Sequence, residues 1–210
     1  MPSKVDSPMH DATTPPSPSD RTGEIAPETI VKRLLEFIRA TQSVREMERG
    51  RFWTALALPP QVLSDRQYFG EEEGYQSFSQ EIADTRWSYT VSFSENSNDG
   101  GSRSARLSFE HPENRNQNTD IDLGSICGVD IEAFRKDMKA AGFSEMRQEP
   151  SQFEYESKGV SSFGFRRNGI LVDVVAQREA AQPEAKRKHL CVLGVEVRAF
   201  SDSPADGASH

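Results

Sequence analysis

The sequence predicts an α+β domain: an antiparallel sheet of about six to seven strands with two or three helices packed on one face. Three observations carry that prediction. Apolar residues recur at helical spacing in separate stretches, two-residue alternation marks strands elsewhere, and turn residues stand between neighbouring strands, which makes them adjacent and antiparallel.

Pro27 sits where a first helical turn favours proline, and Ile30, Val31, Leu34, Leu35 and Ile38 follow as one apolar stripe. This predicts a helix over 27–41. A weaker helical piece runs through Val44 and Met47 until Gly50 ends it. The apolar run from Phe52 to Leu58 stops at Pro59-Pro60 and reads either as a short strand or as a buried turn. Tyr75, Phe78 and Ile82 predict a short helix over 75–84.

Trp87, Tyr89, Val91 and Phe93 alternate with Ser88, Thr90 and Ser92, the period of a half-buried strand. Asn96 to Gly101 supplies turn chemistry before Ala105, Leu107 and Phe109 alternate again, so a β-hairpin is expected here. Asp130 can cap a helix that turns Ile131, Phe134, Met138 and Ala141 inward. Gly142 stands at the position after it that calls for a left-handed residue, with Phe143 folding back. Four strands are then expected as a meander: Phe153/Tyr155, Phe163/Phe165, Ile170/Val172/Val174 and Cys191/Leu193/Val195/Val197. Lys158-Gly159 and Asn168-Gly169 provide turns between the first three. No internal repeat is evident.

Five of the twelve prolines precede Arg21, among Ser, Thr and Asp. Such a segment buries too little apolar surface to offset its ordering entropy, so residues 1–24 are expected to be a disordered tether. Residues 201–210 share that character, which leaves 25–200 as a single domain. The net charge is −8. Nucleic-acid binding needs clustered cations, and the one basic cluster, Lys186-Arg187-Lys188, reads as a solvated turn. An acidic balance suits a protein that stays soluble or one that meets a basic partner. No apolar run is long enough to span a membrane, and the first residues lack the apolar stretch of a signal peptide.

Catalytic spacings such as GxSxG, GxGxxG, GxxxxGK[ST] and HExxH do not occur. Of His10, His111, His189 and His210, only His111 and His189 fall inside the domain. His111 precedes a proline at a strand end and reads as a loop histidine. His189 lies two residues before Cys191, and a metal site there would need two further ligands that spacing does not supply. Asn114, Asn116, Asn118, Asp120 and Asp122 form a polar ladder, but Thr119 and Ser125 stand where an EF-hand loop needs glycine and glutamate. Glu71-Glu72-Glu73 is by default a solvated run. No enzyme activity, metal or cofactor is expected, although a paired-carboxylate site is open to any of the scattered acids.

Cys127 and Cys191 both fall near the helix–sheet interface. They are either buried free thiols or a disulfide that fastens the helix N-terminus to the last strand, worth on the order of 4 kcal/mol in the chain-entropy account. A disulfide implies an oxidising compartment. The N-terminal tether then suits a bacterial lipoprotein in which Met1 stands where a lipidated cysteine was; an ordinary cytosolic chain is the competing reading.

The segment from Leu123 to Cys127, the helix ending at Ala141, Gly142 and Phe143, and the final strand at Cys191 and Val192 resemble small bacterial periplasmic immunity-type proteins, often lipoproteins. Those proteins block toxins delivered by secretion systems. The resemblance spans Asp122 to Phe200 and implies a non-enzymatic inhibitor that plugs the active site of a partner enzyme such as a lipase or cell-wall hydrolase. Anchors would come from a segment where aromatics and acids lie together: Tyr68, Phe69, Glu71, Glu72, Glu73 and Tyr75. A cytosolic secretion chaperone is the second expectation, and free thiols would favour it.

Overall fold

In the computed structural model the residues described are 25–58, 69–72, 74–96, 101–113, 121–146, 159–178 and 189–200. The two tails, the expected Phe153/Tyr155 strand, residues 114–120 and the Lys186–Lys188 cluster lie outside them. The helices are α1 (Pro27–Ala40), α2 (Arg49–Leu56) and α3 (Ile131–Ala140), with a 3-10 turn at Val44–Glu46. The strands are β1 (Phe69–Glu72), β2 (Tyr75–Glu81), β3 (Ser88–Asn96), β4 (Ser102–Glu110), β5 (Ser144–Met146), β6 (Val160–Arg167), β7 (Ile170–Arg178) and β8 (Leu190–Ala199).

All eight strands form one antiparallel sheet in the order β1-β2-β3-β4-β8-β7-β6-β5. The chain therefore builds helix and four-strand meander twice, and β4 and β8 join the halves edge to edge. The predicted α+β class is the observed one, whereas the twofold arrangement of halves has no counterpart in sequence.

Register shows which face is covered. Phe93, Ala105, Val197, Val172 and Phe165 lie in one row across the sheet, and Phe78, Val91, Leu107, Val195 and Val174 in the next. Every one of these side chains is buried. The Phe52 ring of α2 lies 5.5 Å from Phe93 and the Phe134 ring of α3 lies 6.0 Å from Phe165. Helices from both halves thus cover the same face. α1 packs on α2 through Phe37 and Phe52, centroids 5.3 Å apart, and buries its whole predicted stripe.

α3 is specified as the sequence predicts. Asp130 Oδ1 accepts from the N–H groups of Glu132 and Ala133, which satisfies donors that a first turn leaves open. At the other end Phe143 N donates to Met138 O and Gly142 N to Lys139 O, both at 3.0 Å, with Gly142 at φ +83°. That is the paired closure for which a helix end uses glycine. The Asn168-Gly169 turn also forms, with both residues at positive φ between β6 and β7.

Two local readings are corrected. Residues 75–81 are strand, not helix: β2 carries a single buried side chain, Phe78, which pairs with Val91 of β3. Sheet pairing, unseen in local spacing, overrides the three-and-four pattern of Tyr75, Phe78 and Ile82. The Phe52 to Leu58 run is not a strand: it is α2 as far as Leu56, with Phe52 and Leu56 buried one helical turn apart, and Ala57 and Leu58 lie just beyond the helix. Gly50 lies in the first turn of α2 rather than ending a helix, so the piece through Val44 and Met47 shrinks to one 3-10 turn.

Arginines tie the helices to the sheet. Arg167 of β6 donates to Ile38 O and Thr41 O at the end of α1 and to Ala141 O at the end of α3, and it stacks 4.2 Å over Phe143. Desolvation holds its guanidinium below its ordinary pKa. On α3, Arg135 is raised instead, first by its hydrogen bond to Glu145 and then by that to Glu132.

A glycine fixes the approach of the halves. A Cβ on Gly128 would fall 2.6 Å from Glu28 Cβ and 2.7 Å from Glu28 Cα, so the first turn of α1 rests directly on the loop leading to α3. Gly128→Ala is expected to cost about 2 kcal/mol of stability through this overpacking. Urea denaturation of the oxidised protein measures it, and an unchanged midpoint would contradict the contact.

Candidate functional site

The other face of the sheet carries no helix among the described residues. Its rows are set by the same register. Ser79, Thr90, Ser108, Gly194, Val175 and Ser162 form one, and Ser77, Ser92, Arg106, Glu196, Asp173 and Gly164 the next. Because the strand period is two, the serines and threonine that alternate with the core of β3 all reach this face. Short side chains and two glycines make it flat, with Ser79 and Thr90 hydroxyls bonded at 2.9 Å. At its centre Arg198 pairs with Asp173, and Ser104 donates to Glu196 at 3.3 Å.

Apolar groups interrupt this polar plane. Val175 is 38% exposed at the middle of β7, and Leu171 lies half-buried on the same face one row beyond Asp173. Tyr75, 39% exposed, starts a third row through Ser94, Ser104, Arg198 and Leu171.

Of the anchor residues expected from sequence, Tyr75 therefore lies at one corner of the uncovered face. Phe69, Glu71 and Glu72 lie in β1, which among the described residues pairs with β2 alone and stands at the end of the sheet order. Tyr68 and Glu73 lie outside the described residues. The β1–β2 hairpin turns at Gly74, φ +73°, where an added Cβ would meet Glu95 O at 2.7 Å. Val175, Leu171 and Arg198 were missed as surface candidates. β7 and β8 read locally as core strands, and only the pairing register tells which side chains turn outward.

A cleft of about 620 Å³ opens beside Trp87 at the β2–β3 turn, lined in part by Glu81, Arg86, Glu110 and His111. Glu81 and Glu110 both stand opposite Ser88, so a whole strand separates them, about 10 Å between backbones. His111 accepts Glu113 N–H at Nδ1 and its ring packs 5.0 Å from Trp87. Arg86 pairs with Glu113. The histidine closes a strand end, as its place before Pro112 suggests, and no paired acid and base arises from this geometry.

Cys127 and Cys191 are bonded, with Cα atoms 5.0 Å apart and a sequence separation of 64. A backbone turn, Cys127 N to Leu123 O at 2.9 Å, presents the first sulfur, and Val192 N to Val129 O at 3.2 Å laces the loop to β8. His189 joins them. Its Nδ1 lies 3.8 Å from Cys127 Sγ and 3.9 Å from Cys191 Sγ, while Nε2 lies 3.2 Å from Asp130 Oδ2.

No family model, curated protein or solved structure matches the chain. Among the described residues no helix is long and apolar enough to cross a membrane.

Proposed function

We propose that this protein is a non-enzymatic binding module of the immunity type, which occludes the active site of a secreted bacterial effector enzyme such as a lipase or cell-wall hydrolase. The observation that carries this reading is the sheet face that no helix covers among the described residues. Eight strands at about 4.8 Å spacing give a width of about 34 Å, and the four central strands, of nine or ten residues, give a length of about 30 Å there, narrowing towards the short edge strands. A plane of that size offers on the order of 1,000 Å², enough for one side of a standard protein–protein interface. Its composition fits as well: an exposed tyrosine, the arginines Arg106 and Arg198 and two aliphatic groups, beside the acids Asp173 and Glu196 and small polar residues, on a sheet backed by helices on its other face. The cystine favours an oxidising compartment, and with it a periplasmic location, over a cytosolic chaperone.

Stoichiometric addition of the protein to a panel of effector lipases and peptidoglycan hydrolases tests the reading. One enzyme is expected to lose activity at a one-to-one ratio. Tyr75→Ala and Val175→Arg are each expected to weaken that inhibition about thirty-fold, the equivalent of about 2 kcal/mol at an interface anchor, with unchanged thermal melting. Turnover of ester or glycan substrates by the protein alone would overturn the non-enzymatic assignment, and inhibition untouched by both variants would overturn the assignment of the face.

A further inference from the structure

We propose that Cys127, Cys191 and His189 are a redox-gated zinc site, closed as a disulfide when oxidised and a three-ligand Cys₂His site when reduced. The two sulfurs and the histidine nitrogen lie within 4.8 Å of one another. Tetrahedral zinc with bonds of about 2.3 Å to sulfur and about 2.0 Å to nitrogen sets sulfur–nitrogen edges of about 3.5 Å. The observed edges are 3.8 and 3.9 Å, so the imidazole already stands where a ligand would. Only the sulfurs have to part, from bonded contact to about 3.8 Å, the sulfur–sulfur edge of the same tetrahedron.

The imidazole is also oriented for that duty. Asp130 Oδ2, 3.2 Å from Nε2, is placed to accept a hydrogen bond from the Nε2–H tautomer, in which the Nδ1 lone pair faces the sulfurs. A carboxylate on the far nitrogen is the usual support for a metal-bound histidine. Asp130 is itself fixed, since its other oxygen caps α3. Four residues from a loop, a helix cap and a strand therefore converge on one point. Three protein ligands leave a fourth position for water.

The conversion balances with a dithiol as reductant. Two electrons pass from the dithiol, which closes to its own disulfide, to the Cys127–Cys191 bond, which opens to two thiols. Zinc ion then displaces one proton from each thiol to solvent and takes Nδ1 as its neutral ligand. Soft thiolates with imidazole favour zinc over calcium or magnesium.

The test uses the full chain reduced with dithiothreitol, freed of reductant under argon, and titrated with zinc chloride against a chromogenic chelator. One zinc per chain is expected, with two protons released, and none for the oxidised protein. Cobalt in place of zinc should give the charge-transfer absorption of thiolate ligation. His189→Ala is expected to weaken binding at least a hundred-fold. Asp130→Asn keeps a helix-capping oxygen and is expected to weaken it ten- to a hundred-fold. Zinc should also raise the melting temperature of the reduced protein. A reduced chain that takes up no zinc overturns the proposal, as does zinc uptake that His189→Ala leaves intact. Neither failure touches the inhibition assay above.

Discussion

Replacing Cys127 and Cys191 together by alanine is expected to lower the free energy of unfolding by about 4 kcal/mol, the chain-entropy value for a loop of this length. Against a domain stability on the order of 10 kcal/mol that is a large share. The denaturant slope is expected to rise, because the unlinked unfolded chain exposes more surface. Both cysteines lie in the second half of the fold, so the loss is also local. The bridge holds the loop before α3 against β8, where Val192 N and Val129 O already meet. Hydrogen exchange should quicken most in α3 and β8 and least in β2 and β3. Uniform quickening would show that the bridge acts on the fold as a whole.

Arg167→Met carries the second large effect, on the order of 3 kcal/mol. The planar fork of Arg167 satisfies carbonyls at the ends of two helices from different halves, Ile38 and Thr41 on one side and Ala141 on the other. Methionine keeps much of the bulk over Phe143 but leaves those acceptors without their charged donor. A loss of this size lowers the melting temperature by roughly 6–12 °C in a domain of this length. Arg167→Lys should rescue little, since one ammonium cannot reproduce the fork. A lysine variant that melts like the parent would reduce the residue's role to charge alone.

Strong amphipathic signals made parts of this fold legible. α1, α3 and the β3–β4 hairpin carry their periods in contiguous residues, while Asp130 and Gly142 mark the two ends of α3 and Asn168-Gly169 marks the β6–β7 turn. The edge was harder to read. β2 buries one side chain, so spacing that fits a helix competed with a strand that its neighbour dictates. α2 was hidden in a short apolar run, where length and not period separates helix from strand. The β4–β8 seam had no local signal at all. With it went the uncovered face, because side chains of Arg106 and Glu196 become neighbours only once Leu107 pairs with Val195. The His189 cluster was half visible: Cys191 stood two residues away, but Asp130 and Cys127 arrive from the other side of the second meander.

That seam has a kinetic consequence. Within each half the strands meet neighbours close in sequence, so both meanders can form by short loop closures. β4 and β8, by contrast, bring together residues such as Ala105 and Val197, whose encounter requires most of the intervening chain to be organised first. The rate-limiting event in assembly is then the docking of two preformed sheets along one line. Mutations on that line, Leu107→Ala or Val195→Ala, would slow folding more than they hasten unfolding, whereas changes in the outer strands would do the reverse.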